Sequence, residues 1–263
     1  MDKNQWIVII AAAVLFFTLY FGCDTRPGEY DDIEKKRVEN REITSVRSLL
    51  MDAKKDLLPA EAASLTALEM ELEEAPDDSI RAMALQQLSG AWYRLGQYAL
   101  AGHYAEQVAQ LKNNEEAWSI AGTTYSICVQ KEKEPKTRQY CTEHGLVALE
   151  NAISINPSNL QHQINRALIY TENPPADNPM KGILMLVNLN KEHPENVAVL
   201  NQLGRLGIKT GQYEKAIGRL KKAIGLEPDN PVSNCLLGRA LQETGRHNEA
   251  EKYLARCQIH NSD

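Results

Sequence analysis

The sequence predicts an all-α fold, a solenoid of helix–turn–helix pairs behind an N-terminal transmembrane helix. The main observation is a pattern of large and small residues near the C-terminus that occurs twice, about thirty-four residues apart. The first copy is Leu203, Gly204, Gly211, Ala216 and Leu220, and the second is Leu237, Gly238, Gly245, Ala250 and Leu254. From about Ile43 onward, leucine and alanine recur at three- and four-residue spacing and no alternating strand pattern persists, which is typical of helices.

The predicted membrane segment is an uncharged apolar run over residues 4–23, NQWIVIIAAAVLFFTLYFGC. A run of about twenty such residues is long enough to cross the hydrocarbon core of a bilayer as a helix. Trp6 and Tyr20 stand near its ends, where amphipathic rings favour the membrane interface. We therefore predict that residues 1–23 hold the protein at a membrane.

The form of this anchor is open between three alternatives. The favoured one is an uncleaved signal-anchor helix. Cys23 after Gly22 is similar to a bacterial lipoprotein signal, in which the cysteine is lipidated after cleavage, although Tyr20 stands where that pattern usually has leucine. The third alternative is a conventionally cleaved signal peptide.

The charges beside the apolar run give conflicting indications of its orientation. Lys3 precedes the run, as in an export signal, whereas a basic cluster follows it at Arg26, Lys35, Lys36, Arg37 and Arg41. The positive-inside rule alone would keep the following residues in the cytoplasm. Acidic residues dilute that cluster, so we expect the body to be periplasmic, with the cytoplasmic face of the membrane as the alternative. Residues 24–42 are charge-rich and predict a spacer.

Residues 43–81 predict a helical hairpin, because two segments with helical patterning are separated near Pro59. Proline fits the first turn of a helix, where its missing N–H is not needed. Pro76 lies just past the end of the second segment, as expected after a helix.

Residues 82–263 predict the solenoid proper. Two antiparallel helices joined by a tight turn need small residues where their backbones approach, and we expect Gly204 to face Ala216 there, with Leu220 filling the volume beside them. Gly211 fits the turn, because glycine readily adopts a positive φ. Pro228 follows the second helix and prevents its continuation.

This pattern resembles the tetratricopeptide repeat, a helix–turn–helix unit of about 34 residues, and the chain resembles a membrane-anchored bacterial member of that family. Laid on the family pattern, five repeats lie near residues 82–114, 115–159, 160–196, 197–230 and 231–263. The second repeat is about eleven residues longer than the pattern between its helices, and the third about three residues longer.

The resemblance implies a module for protein–protein interaction. In the family, stacked helix pairs curve, and the first helix of each pair lines a concave groove that binds a protein or peptide. From the positions that line this groove in the family, we select six as binding residues of this chain: Tyr93, Arg94, Asn201, Arg205, Lys209 and Arg239. The three cations of the late repeats would suit a carboxylate or an acidic segment. Gln86 and Gly90 stand where some members carry a clamp for chaperones, so that specificity is not implied.

The predicted function is that of a non-enzymatic, membrane-anchored scaffold, which binds a protein or peptide in a bacterial cell-envelope complex. The alternative is a structural spacer or lipoprotein that organises an envelope assembly through end-to-end repeat contacts. The sequence contains no phosphate-binding loop, nucleophile elbow, HExxH motif or paired CxxC, so we predict no enzymatic activity and no cofactor. A net charge of −6 argues against nucleic acid as the partner.

Cys128 and Cys141 flank the long segment between the helices of the second repeat. We expect them at the end of one helix and the start of its antiparallel mate, where a disulfide could form in an oxidising compartment; the alternative is a pair of free apolar side chains. A metal site with His144 is disfavoured, because structural zinc normally takes four ligands. Cys235 and Cys257 are interpreted as small buried residues.

Overall fold

The computed structural model describes residues 46–258 of the 263-residue chain. The chain divides into two compact units, Met1–Lys55 and Asp56–Asp263. In the first unit the described residues, 46–55, are helical. The predicted anchor at 1–23 and the predicted spacer at 24–42 lie outside the described residues. Within 46–258, no helix combines the length and the apolar character needed to cross a membrane.

The second unit consists of helices joined by short turns, and no strand occurs among its described residues. Its helices are α1 (Pro59–Glu73), α2 (Asp78–Arg94), α3 (Tyr98–Lys112), α4 (Glu115–Lys131), α5 (Pro135–Ile155), α6 (Leu160–Glu172), α7 (Lys181–Glu192), α8 (Val197–Lys209), α9 (Tyr213–Leu226), α10 (Pro231–Glu243) and α11 (His247–Gln258).

These helices stack in chain order within the second unit. Each helix from α1 to α10 packs against the one that follows it. The first helices of successive pairs also touch, because α4 contacts α6, α6 contacts α8 and α8 contacts α10. This succession of neighbour contacts is how a helical repeat array buries a continuous core. The predicted all-α helix–turn–helix solenoid is confirmed for this unit.

The starts of four of the first helices are fixed by asparagine caps. The N-cap residues of α4, α6, α8 and α10 are Asn114, Asn159, Asn196 and Asn230. Each amide oxygen accepts a hydrogen bond from a backbone N–H in the first turn, which would otherwise lack a partner. The cap therefore sets where each of these four repeats begins.

The turns within the pairs depend on glycine, as predicted. Gly211 between α8 and α9 has φ of 72°, and Gly245 between α10 and α11 has φ of 76°. Side chains other than glycine rarely adopt this left-handed conformation. The turn residues therefore fix the reversal of direction in both repeats.

The close approach inside the α8–α9 pair differs from the expectation that Gly204 faces Ala216. A Cβ atom on Gly204 would lie 2.7 Å from Leu220 Cδ2, so Leu220 covers this glycine. Ala216 instead meets Gly207, where an added Cβ would come within 3.0 Å of the Ala216 Cβ. Because antiparallel helices run in opposite directions, the earlier glycine pairs with the later residue of the second helix.

The long second repeat also differs from the prediction. The extra residues do not form a long loop, since α4 ends at Lys131 and α5 begins at Pro135. They lengthen both helices, to 17 and 21 residues, against 13 and 14 in α8 and α9. Glu134 caps α5 by accepting a hydrogen bond from the Thr137 N–H, and Pro135 occupies the first turn, so the turn stays short.

Candidate functional site

Three of the residues predicted to bind a partner line one cavity on the first helices of the last two pairs. This cavity, called the α8–α10 cavity, has a volume of about 360 Å³. Its walls are Arg205, Ile208 and Lys209 of α8, Tyr213 of α9, and Leu236, Arg239 and Glu243 of α10. The thirty-four-residue interval between Arg205 and Arg239 places the two guanidinium groups at equivalent positions of successive repeats.

The three cations of the α8–α10 cavity differ in the hydrogen-bond and ion-pair partners that they already have. Lys209 Nζ lies 2.7 Å from Glu172 Oε2 of α6, in a partly exposed ion pair. Arg205 donates a hydrogen bond from Nη1 to the amide oxygen of Gln130, at 3.3 Å. Arg239 is exposed and has neither a hydrogen bond nor an ion pair within residues 46–258. A ligand carboxylate would therefore meet one guanidinium that is already free.

Asn201, the other residue predicted in the late repeats, lies elsewhere. It is 4% exposed, and its amide oxygen accepts a hydrogen bond of 2.8 Å from the Ser233 hydroxyl. Its amide nitrogen lies 3.5 Å from the side-chain oxygen of Asn230. Asn201 thus joins α8 to the start of α10, and it does not line the α8–α10 cavity.

The predicted residues of the first repeat, Tyr93 and Arg94, line a second cavity. This α2–α4 cavity has a volume of about 500 Å³, within the range of about 300–1,000 Å³ that is usual for ligand pockets. Its lining comes from α2, α3, α4 and the turn before α4: Gln86, Ser89, Gly90, Tyr93, Arg94, Ala105, Val108, Lys112, Asn114, Glu116, Ala117, Ile120 and Thr124. The structure thus divides five of the six predicted residues between two cavities, and Asn201 lines neither.

A buried polar cluster between α3, α4 and α5 was not predicted from the sequence. Glu106 is 8% exposed, and its Oε2 accepts hydrogen bonds from the Tyr125 hydroxyl at 2.7 Å and from His144 Nδ1 at 2.8 Å. Burial, and then the neighbouring Tyr140 and Glu106, raise the pKa of Tyr125 well above its ordinary value. This cluster shows that His144 of the second repeat serves as a hydrogen-bond partner for Glu106 on α3 of the first.

A metal site is not formed by the cysteines and His144. No group of three or more His, Cys, Asp or Glu side chains suited to a metal ion occurs between residues 46 and 258. Cys128 and Cys141 instead form a disulfide in the structure, with Cα atoms 6.1 Å apart. The bridge joins the end of α4 to the start of α5.

The interpretation of Cys235 and Cys257 as small buried residues is wrong in the structure. These residues form a second disulfide, which joins α10 to α11 with Cα atoms 4.9 Å apart. Both side chains are half-buried. The two cysteines are 22 residues apart in sequence. The turn between α10 and α11 reverses the direction of the chain and brings them together.

Comparisons with known proteins agree with a helical repeat fold. A family model described as tetratricopeptide repeat matches residues 207–261. No curated protein matches the chain in sequence.

Several similar solved structures are of MamA. MamA from Desulfovibrio magneticus RS-1, from residue 41 to the end, is 15% identical, with 69% of this chain and 97% of that chain covered and a TM-score of 0.42. MamA of MSR-1 is 22% identical, with 68% and 96% covered and a TM-score of 0.37. MamA of AMB-1 is 20% identical, with 70% and 94% covered and a TM-score of 0.37. Among these comparisons, the family assignment rests on the match of residues 207–261 to the tetratricopeptide repeat.

Proposed function

We propose that the protein is a non-enzymatic scaffold that binds a protein partner along the first helices of its repeats. The observation that supports this most strongly is the α8–α10 cavity, because Arg205, Lys209 and Arg239 come from two successive repeats and line one opening. Side chains that converge from separate helices on a preformed surface are typical of a recognition site.

The chemistry of the α8–α10 cavity favours an acidic segment of the partner. The lining carries three cations and one carboxylate, Glu243, which accepts a hydrogen bond from the Tyr213 hydroxyl at 3.4 Å. A carboxylate of the partner could receive a two-pronged hydrogen bond from Arg239, as guanidinium and carboxylate groups match in geometry. The ion pair of Lys209 with Glu172 is exposed enough to exchange partners at small cost.

The proposed setting is a membrane-anchored complex of the bacterial cell envelope, with the repeats on the periplasmic side. Two features support it. The uncharged run at residues 4–23 has the length of a membrane span. The two disulfides, Cys128–Cys141 and Cys235–Cys257, are suited to an oxidising compartment, since cytoplasmic proteins rarely keep such bonds.

The test is crosslinking in the native membrane, followed by mass spectrometry of the material captured with the full-length chain. The variant replaces the three cations of the α8–α10 cavity together, as Arg205→Ala, Lys209→Ala and Arg239→Ala. The control replaces three exposed cations of the second helices, as Lys191→Ala, Lys215→Ala and Lys222→Ala. Both variants lose the same charge, so a general electrostatic effect would appear in both.

We expect the first variant to lose the captured partner and the control variant to keep it. Capture of the same partner by both variants would contradict recognition through this cavity. If crosslinks join only the ends of the repeat array to further copies of the chain, the structural-spacer alternative would replace the proposal.

A further inference from the structure

A glycine in the α2–α4 cavity lacks the packing reason that most glycines of helical pairs have. Cβ atoms built on most helical glycines would meet a neighbouring helix at 2.7 Å or less, as at Gly102, Gly122, Gly145, Gly182, Gly204 and Gly238. A Cβ atom on Gly90 would meet only the Nη1 atom of Arg94, at 3.5 Å. Glycine is a poor helix former, so its presence at this position of α2 is unfavourable for the fold by itself. Because Gly90 has no side chain, the space above it stays open as part of the cavity.

Part of the cavity wall around Gly90 is apolar. Tyr93 and Ile120 are 44% and 48% exposed, although large hydrophobic side chains usually bury more of their surface. They belong to α2 and α4, and the buried side chains of Ala105, Val108 and Ala117 complete the apolar lining. An apolar group of a partner that entered here would be removed from water on several sides.

The charged residues of the same cavity are unpaired. Arg94 and Lys112 have no hydrogen-bond or ion-pair partner among the side chains and backbone atoms of residues 46–258, and the same holds for Glu116. The lining therefore carries two free cations and one free carboxylate. In a chain with a net charge of −6, this local excess of positive charge favours an acidic occupant.

We infer that the α2–α4 cavity is the specificity pocket of the scaffold, which receives one bulky apolar side chain of an acidic segment in the partner. The inference rests on the proposed binding along the first helices, and it adds the chemistry that the partner must present. The apolar side chain lies against Tyr93 and Ile120 above Gly90, and a flanking carboxylate of the segment lies between Arg94 and Lys112.

The test uses fluorescence anisotropy of a fluorescein-labelled peptide, Asp-Glu-Phe-Glu-Asp, with the purified full-length chain. One comparison peptide has alanine in place of phenylalanine, and another has asparagine and glutamine in place of the acids. The Gly90→Leu variant fills the cavity from its floor. Its control is Gly218→Leu on α9, another helical glycine with nothing within 4 Å of an added Cβ.

We expect the acidic phenylalanine peptide to bind at least tenfold more tightly than either comparison peptide. Gly90→Leu should weaken this binding at least tenfold, and Gly218→Leu should leave it unchanged. A second variant, Arg94→Glu with Lys112→Glu, should abolish the preference for the acidic peptide over the peptide with asparagine and glutamine. Its control, Lys191→Glu with Lys222→Glu, should keep that preference. This second variant keeps the test valid if Gly90→Leu disturbs the helix, which circular dichroism would reveal.

The outcomes separate this inference from the proposed function. If the peptide binds wild type and Gly90→Leu equally but is lost from the Arg205, Lys209 and Arg239 triple variant, the specificity pocket is overturned and the scaffold function stands. Absence of any preference for phenylalanine would overturn it as well. If sedimentation shows that Gly90→Leu dissociates a dimer of the chain, a second copy is the occupant and the inference is wrong.

Discussion

Gly238 on α10 lies directly under Leu254 on α11, so that a Cβ atom on the glycine would stand 2.7 Å from both Cγ and Cδ2 of the leucine. Gly204 has the same relationship to Leu220 one repeat earlier, again at 2.7 Å. The two helix pairs therefore close on the same contact, which explains why the sequence repeats this pair of residues in one register. Since Leu220 is fully buried, the contact belongs to the core of the solenoid.

Substitution of Gly204 by alanine should destabilise the protein. The added methyl group must displace Leu220 at its branch point, and overpacking of this kind costs about 1–3 kcal/mol. Gly218→Ala on α9 is the matched control, because nothing lies within 4 Å of its added Cβ. We expect the control to be neutral or stabilising by up to about 1 kcal/mol, and urea unfolding followed by circular dichroism measures both. Equal effects of the two changes would contradict the close contact.

Both disulfides should be present in protein isolated from its native membrane under non-reducing conditions. Mass spectrometry should then find Cys128 linked to Cys141 and Cys235 linked to Cys257. Closing a loop of about fifteen residues contributes about 3 kcal/mol through the unfolded state, so replacing Cys128 and Cys141 by serine should lower the free energy of unfolding by about that amount. Free thiols at all four positions would remove this support for a periplasmic body.

The stability of the α4–α6 region should fall at acidic pH because of Glu115. Hydrogen bonds from Asn159, Asn156 and His162, in that order of effect, lower the pKa of Glu115 to about 2 from an ordinary value of 4.5. The carboxylate therefore stabilises the folded state fully above about pH 4.5, and this contribution is lost as the pH falls towards about 2. Unfolding measured at several pH values should show the loss.

The variant Glu115→Gln should reduce that dependence on pH. Glu116→Gln changes the same charge at the neighbouring position, where the side chain is exposed and makes no hydrogen bond to residues 46–258, so it should leave the pH profile as in the wild type. Profiles of the two variants that coincide would show that the bonds of Glu115 do not contribute.

The buried Tyr125 hydroxyl should be needed for full stability of the second repeat. Tyr125→Phe removes the donor to Glu106 and leaves the His144 bond in place. A hydrogen bond to a charged group contributes about 1.5–3 kcal/mol, and the loss should appear in thermal unfolding. The control is Tyr213→Phe, whose longer bond to Glu243 is exposed and should contribute little. A variant Tyr125→Phe as stable as the wild type would contradict a role for this bond.

Local sequence patterns predicted the repeat geometry well, because the same pattern of residues occurs in more than one repeat. Gly211 was predicted in the turn because glycine readily adopts a positive φ, and its φ of 72° confirms this; Gly245, its counterpart in the next repeat, has the same conformation with φ of 76°. The partner of Gly204 was misassigned to Ala216, since spacing along one helix gives the face of each residue but not the offset between antiparallel helices. That offset is set by the packing of Leu220.

Features that depend on several repeats at once were harder to predict. The Glu106, Tyr125 and His144 cluster joins three helices, and each residue alone has the pattern of an ordinary helical position. The pairing of Cys235 with Cys257 was missed for a related reason, as 22 residues and a turn separate them. The sequence did indicate this pairing, since Cys235 and Cys257 lie one on each helix of a single predicted pair.

Binding along the first helices of the repeats is measured most directly by site-specific photocrosslinking of the full-length chain in its native membrane. A photoreactive residue replaces an exposed side chain on a first helix, at Ile120 or Gln242, or on a second helix, at Glu150 or Lys222. We predict that one partner protein is captured from positions 120 and 242 and not from positions 150 and 222. Capture from the second-helix positions alone would contradict binding along the first helices of the repeats.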